Sequence, residues 1–203
     1  MDINLRAKYL INDTYNAYYT YSRNIGDKSA VSVYEMTNIN PSKKHAAPFM
    51  TVWLKNISRI ITKAGIDTSR YDFIDVGCGK GISTIFASDQ YNFRTVSGFD
   101  FEPSLVDAAR ANHENCKLNH KKITFFVADA SEYIIMDAPF FVFMFNPFGS
   151  EVLRSFLENN IQSFRKNNTI IGYANARELN VFNAYSPSLV QIIDGYNCAV
   201  IRF

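Results

Sequence analysis

The chain has little of what marks the more specialised protein classes. Its 203 residues include only three cysteines, Cys78, Cys116 and Cys198, and one tryptophan. An odd number of cysteines without CxxC spacing argues against a disulfide framework and a structural zinc site, so reduced thiols are expected. No His, Cys, Asp or Glu cluster has metal-ligand spacing, and no metal is expected. No stretch approaches the ~18 to 20 apolar residues that span a bilayer. The opening Met-Asp-Ile-Asn-Leu-Arg-Ala-Lys lacks the apolar centre of a signal peptide, so a cytoplasmic protein without membrane contact is expected. Charge of one sign is also scarce. A formal net charge of +2 does not indicate a nucleic-acid partner, and Lys43-Lys44-His45 and Lys121-Lys122 are short enough to be solvated edges.

What is present is a chain 47% hydrophobic and 20% charged, long enough for one α/β domain with an extension. Residues 1–69 lack a βαβ rhythm. Tyr15, Tyr18, Tyr19 and Tyr21 stand among polar neighbours, and a turn-rich break at residues 38–42 separates them from a second helical pattern. That pattern runs over 46–64, with Phe49, Val52, Trp53, Ile57, Ile60 and Ile61 at helical spacing and Gly65 as C-cap. Together these read as an N-terminal helical cap. From residue 70 on, strands at 71–76, 95–100 and 123–127 alternate with helices at 81–91 and 103–116, as in βαβ units. The nearly pure apolar run Phe140-Phe-Val-Phe-Met-Phe145 predicts a central strand. A helix over 150–166, a strand over 169–173 and a closing antiparallel hairpin about Asp194-Gly195 complete the pattern. The expectation is an α/β Rossmann-like fold over 1–203, with a seven-stranded, mostly parallel sheet.

The chemistry centres on Asp75-Val-Gly-Cys-Gly-Lys-Gly81. A hydrophobic strand ends in an acid and opens into glycines spaced GxGxG, which let a backbone turn sharply and a ligand approach closely. Nineteen residues after Gly81 a second strand ends in Gly98-Phe-Asp100, where a carboxylate accepts bonds from ribose hydroxyls. A third ends in Ala128-Asp129-Ala130, placed to read an adenine edge. A dinucleotide enzyme would carry GxGxxG, whereas position 82 is Ile82. An acid leading the glycines also repels a pyrophosphate but suits a cationic cofactor.

With Phe145-Asn146-Pro147-Phe148 after the fourth strand, these residues resemble the class I S-adenosylmethionine-dependent methyltransferases, from about Tyr71 to the chain end. The resemblance implies S-adenosylmethionine as cofactor. Asp75 would hold the ammonium of its methionine moiety, Gly77, Cys78, Gly79 and Gly81 would lie against it, Asp100 and Phe101 would serve the ribose, and Asp129 and Ala130 the adenine. Asn146-Pro147-Phe148 is similar to the Asn/Asp-Pro-Pro-Tyr/Phe motif of amino-group methyltransferases, in which an amide oxygen and a backbone carbonyl accept the hydrogens of the target nitrogen. One proline is missing, so Phe148 falls one residue early. A strand-terminating turn is the plainer reading of the same residues. Tyr34-Glu35-Met-Thr37, with the Asn-Pro-Phe-Gly sequence, looks like a small bacterial subgroup distantly similar to non-SET histone lysine methyltransferases.

These expectations make Asn146 the candidate for orienting the methyl acceptor, and a cofactor-binding residue as well, with Tyr34 and Glu35 as secondary catalytic candidates. The preferred acceptor is nitrogen, with protein lysine as the analogue. An O-methyltransferase acting on a metabolite or glycan, a nicotinamide oxidoreductase and a non-catalytic cofactor-binding subunit are the alternatives. Cys78 reads as a small loop residue, Lys80 as solvent-facing, and His113 and His120 as helix-end or exposed groups. His45 is a base only if its segment turns it toward the site.

Overall fold

A computed structural model of the chain describes residues 3–26, 29–37, 41–117 and 123–203. The turn at 38–40, His120 and the Lys121-Lys122 pair lie outside the described residues.

The first strand, β1 (Asp72–Val76), is buried along its whole length, as a strand covered on both faces must be. It pairs in parallel with β2 (Val96–Asp100) on one side and β4 (Phe140–Phe145) on the other. β3 (Ile123–Val127) extends the sheet beyond β2, and β5 (Ile170–Ala174) extends it beyond β4, both in parallel. β7 (Cys198–Arg202) then runs antiparallel to β5 and to the edge strand β6 (Leu189–Ile193). The order is β3-β2-β1-β4-β5-β7-β6, the expected seven-stranded, mostly parallel arrangement. The chain order reverses between β1 and β4, the switch point outside which open α/β sheets bind ligands.

Two apolar layers cover the sheet. One gathers Leu54, Ile57 and Ile60 of α2 (Leu54–Ala64), Ile85 and Phe86 of α3 (Ile82–Gln90) and Val106 of α4 (Pro103–Asn115) against Phe73, Phe141 and Phe143. Tyr19 of α1 (Ile3–Ser22) closes it, edge-on to Phe86. The other packs Val152, Leu153, Phe156 and Phe164 of α5 (Ser150–Lys166) with Phe182 against Val142, Met144 and Tyr173. The tyrosine-rich segment divides accordingly, with Tyr19 buried while Tyr18 and Tyr21 face outward.

One local expectation is corrected. The helix expected over 46–64 begins only at Leu54, although Gly65 caps it as expected, at φ 60° with its N–H on Ile61 O and Thr62 O. Residues 46–53 are extended instead. Phe49 pairs with Val31 and Ala46 with Phe148, and the Ala47 N–H donates to Pro147 O at 2.9 Å. These cross-chain bonds replace the helical ones, and the apolar side chains that mimicked a helical stripe line a cleft. The closing antiparallel hairpin is as expected, with residues 194–197 connecting β6 and β7 and Gly195 and Asn197 at positive φ.

Candidate active site

The carboxyl ends of β1 to β4 open into one cleft enclosing about 850 Å³ out to its mouth. Its floor is the loop after β1. Asp75 is buried at the end of that strand, and its Oδ2 accepts hydrogen bonds from Ser83 Oγ at 2.5 Å and Thr84 Oγ1 at 2.7 Å. Both hydroxyls come from the first turn of α3. Burial still dominates and pushes the Asp75 carboxyl up to about 6, against the pull of those hydroxyls, with the Asp100 charge raising it further.

Asp100, at the tip of β2, is fixed by backbone donors. Its Oδ2 accepts from Gly79 N–H at 3.0 Å and its Oδ1 from Glu102 N–H at 3.1 Å. Burial pushes this carboxyl to about 6 as well, and the N–H donors pull it back. The glycines divide their work. Gly77 lines the cleft, and a Cβ there would fall 2.3 Å from the Pro147 Cβ, so only glycine lets the β4 loop lie this close. A Cβ on Gly79 would fall 2.1 Å from the Phe49 ring; this residue supports Asp100 from beneath the extended segment. Gly81 packs toward Phe125 and Ala109.

Cys78 lines the cleft, but burial and the two aspartates push its thiol far up, which removes it as a nucleophile. Phe101 and Ala130 also line the cleft. So does Asp129, whose Oδ1 accepts from Ser131 N–H and Oγ, both at 2.8 Å. Asn146 stands on the cleft wall at φ 42°, a conformation asparagine tolerates better than most residues. The extended segment 46–52, fastened to the Pro147-Phe148 loop, and Met36 also line the cleft.

Tyr34 and Glu35 do not belong to this site. The turn Val33–Glu35 sends Tyr34 into solvent, 97% exposed, and buries Met36 instead. The Glu35 carboxylate turns back to accept from Ser32 N–H at 2.7 Å. Lys80 is not solvent-facing either; it is buried, with Nζ donating to Ser29 Oγ at 2.7 Å and standing 5.7 Å from the Phe49 ring centre. His45 Nε2 bonds Glu151 at 2.7 Å. His45 ends the 3-10 turn Pro41–His45 and is not among the residues that line the cleft.

Sequence reasoning missed Ser83, Thr84, Phe49 and Tyr173. The first two had a signal, two hydroxyls opening the helix after the glycine loop. Tyr173 had none. Its hydroxyl donates to Asn146 Oδ1 at 2.8 Å across 27 residues of sequence, a contact set by the β4–β5 register that places Met144 beside Tyr173.

Residues 73–166 match the model of a methyltransferase domain. No curated protein matches the chain. Among solved structures, the chain is similar to a predicted N6-adenine-specific DNA methylase from Listeria monocytogenes, at 13% identity and TM-score 0.55 over 75% of this chain and 51% of that one. It is similar to a mutant of MtNAS in complex with S-adenosylmethionine, at 13% identity and TM-score 0.53 over 74% and 61%. It also resembles the methyltransferase domain of bacterial CtHen1, at 16% identity and TM-score 0.50 over 74% and 97%. The residues present fit S-adenosylmethionine. A close-approach glycine, two buried carboxylates at adjacent strand tips and a third at the next form a cradle of negative charge for a cation that bears a ribose and an adenine. The matched domain, the sheet order and the cleft together support a class I S-adenosylmethionine-dependent methyltransferase.

Proposed function

We propose that this enzyme transfers the methyl group to a nitrogen acceptor, with a lysine-type amine as the model substrate. The observation that carries the reading is the charge of the cleft wall. Its charged side chains are Asp75, Asp100 and Asp129, set in a surface otherwise largely apolar, with Met36, Phe49, Val52, Phe148 and Val152 among its members. Such a wall disfavours phosphate and carboxylate groups and accommodates a neutral or cationic amine. A neutral amine attacks through its own lone pair and sheds its surplus proton afterwards, whereas a hydroxyl must lose its proton to a base as it attacks.

Bound S-adenosylmethionine supplies an electrophilic methyl on a sulfonium. The chain's residues supply position. Asp75 and Asp100 hold the cofactor end, the apolar wall excludes water, and Asn146 orients the acceptor molecule at the switch point, so that in-line placement provides much of the acceleration. The unpaired thiols of buried Cys78 and Cys198 suit a reducing compartment, and we place the enzyme in the cytoplasm.

The test is labelled-methyl transfer from S-adenosylmethionine to lysine-bearing peptides, small amines and hydroxyl compounds, followed by fractions of a cell extract. Label in N-methyl products supports the reading. Label confined to ethers or esters overturns it.

A further inference from the structure

The hydrogen-bond polarity of the cleft at its transfer end is set by two bonds. Asn146 Oδ1 accepts from the Tyr173 hydroxyl at 2.8 Å. Pro147 O accepts from Ala47 N–H at 2.9 Å. The motif resemblance assigns the hydrogens of a target amine to an amide oxygen and a backbone carbonyl, and here Asn146 Oδ1 and Pro147 O each already accept one bond within the protein. Tyr173 is rigid enough to enforce this. It is 1% exposed, its ring packs 5.9 Å from that of Phe182, and its hydroxyl oxygen accepts from Glu178 N–H at 3.4 Å. A hydroxyl that receives one bond directs its own proton along the other, toward Asn146.

The carboxamide is planar, so anchoring its oxygen on the β5 side turns its nitrogen away from β5. The amide nitrogen has no hydrogen-bond partner among the described residues, and Asn146 is half-buried on the cleft wall. We infer that Tyr173 is a positioning residue that makes Asn146 present N–H donors, rather than its oxygen, to the acceptor molecule. The preferred substrate is therefore an amine whose molecule also carries a neutral hydrogen-bond acceptor within reach of Asn146, such as a backbone carbonyl oxygen of a lysine-bearing peptide. This deepens the nitrogen reading and rests on it for the atom methylated, but the polarity of Asn146 is tested separately.

The test compares three variants for cofactor affinity by calorimetry and for labelled-methyl transfer into the most active extract fraction. If the oxygen of Asn146 mattered, Asn146→Asp would keep it and retain transfer while Asn146→Ala would lose it. With N–H donors doing the work, both variants lose transfer alike, and each keeps cofactor affinity within about threefold. Tyr173→Phe lowers kcat about tenfold with the KM for cofactor unchanged, because the amide is no longer anchored. Asn146→Asp transferring like wild type, or Tyr173→Phe leaving kcat unchanged, overturns the proposal. A readout independent of transfer uses N-methylacetamide as a carbonyl probe with demethylated cofactor bound. The side-chain N–H resonances of Asn146 are expected to shift with N-methylacetamide and not with methylammonium; the reverse pattern overturns the inference. If the wild-type enzyme labels only oxygen, the nitrogen reading fails, while these comparisons still report on Asn146.

Discussion

At the scale of single residues, function and stability pull against each other in two buried carboxyls. Asp75 and Asp100 have an ordinary value of 3.8 and are pushed to about 6 in the fold, burial being the largest cause in each. Below about 3.8 both the folded and the unfolded chain hold these protons, and burial costs nothing. Between there and about 6 the unfolded chain releases protons that the fold retains, so stability falls as pH rises, and above 6 the full cost is present. A shift of about two units is on the order of 3 kcal/mol per group. Asp75→Asn keeps an oxygen for the Ser83 and Thr84 hydroxyls while removing the charge. At pH 7 it is expected to raise the Tm of the free protein by several degrees and to weaken cofactor binding, which scanning calorimetry and titration calorimetry read in turn. Asp100→Ala removes the carboxylate to which the family resemblance assigns the ribose and is expected to weaken S-adenosylmethionine binding by about 1.5 to 3 kcal/mol. A cationic cofactor favours the ionised carboxyls, so its binding near pH 6 should release protons that are not released at pH 8. Titration in buffers of different ionisation enthalpy measures this difference.

At the scale of elements, the parts legible in the sequence were those whose burial is uniform. The central strand at 140–145 and the helix at 150–166 are observed with the boundaries that their apolar runs imply, because continuous hydrophobicity and a 3.6-residue stripe report local structure directly. The aspartates at the strand tips were legible for a related reason: each follows a strand whose end is plain. What stayed hidden depends on distant pairing. Residues 46–53 carry apolar groups at helical spacing, yet their backbone bonds go to Val31 and to the 147–149 loop. Tyr173 and Lys80 likewise look ordinary until strand register and the Ser29 segment bring their partners to them. The extended segment yields its own prediction. Ala47→Pro deletes the donor to Pro147 O and unfastens the segment from the β4 loop. Because that segment forms one wall of the cleft and joins the main apolar layers through Val52, away from the substituted position, cofactor affinity is expected to fall about tenfold while the Tm changes little. Equal losses in both would assign the segment to the core.

At the scale of the whole molecule, sheet order and cofactor are linked. The cleft lies where β1, β2, β3 and β4 end together, so a ligand in it would tie the loops of four strands and the segment 46–52 into one body. A ligand that binds only the folded state stabilises it by RT ln(1 + [L]/Kd), about 2.7 kcal/mol at a hundredfold excess over Kd. For a domain of this size each kcal/mol corresponds to about 2–4 °C in Tm. S-adenosylmethionine and its demethylated product are therefore expected to raise the melting temperature by about 5–11 °C under those conditions. The nicotinamide dinucleotides are expected to leave it unchanged, because their pyrophosphate would lie against Asp75 at the floor of the glycine loop, where like charges repel. Asp100→Ala and Ala47→Pro both raise Kd, so each should displace the shift to higher ligand concentration with the same logarithmic slope. The scan without ligand separates them, because Asp100→Ala removes a buried carboxyl whose ionisation costs stability and Ala47→Pro leaves it in place. A dinucleotide-induced shift as large as that of S-adenosylmethionine would contradict the charge argument on which the cofactor end of the cleft is built.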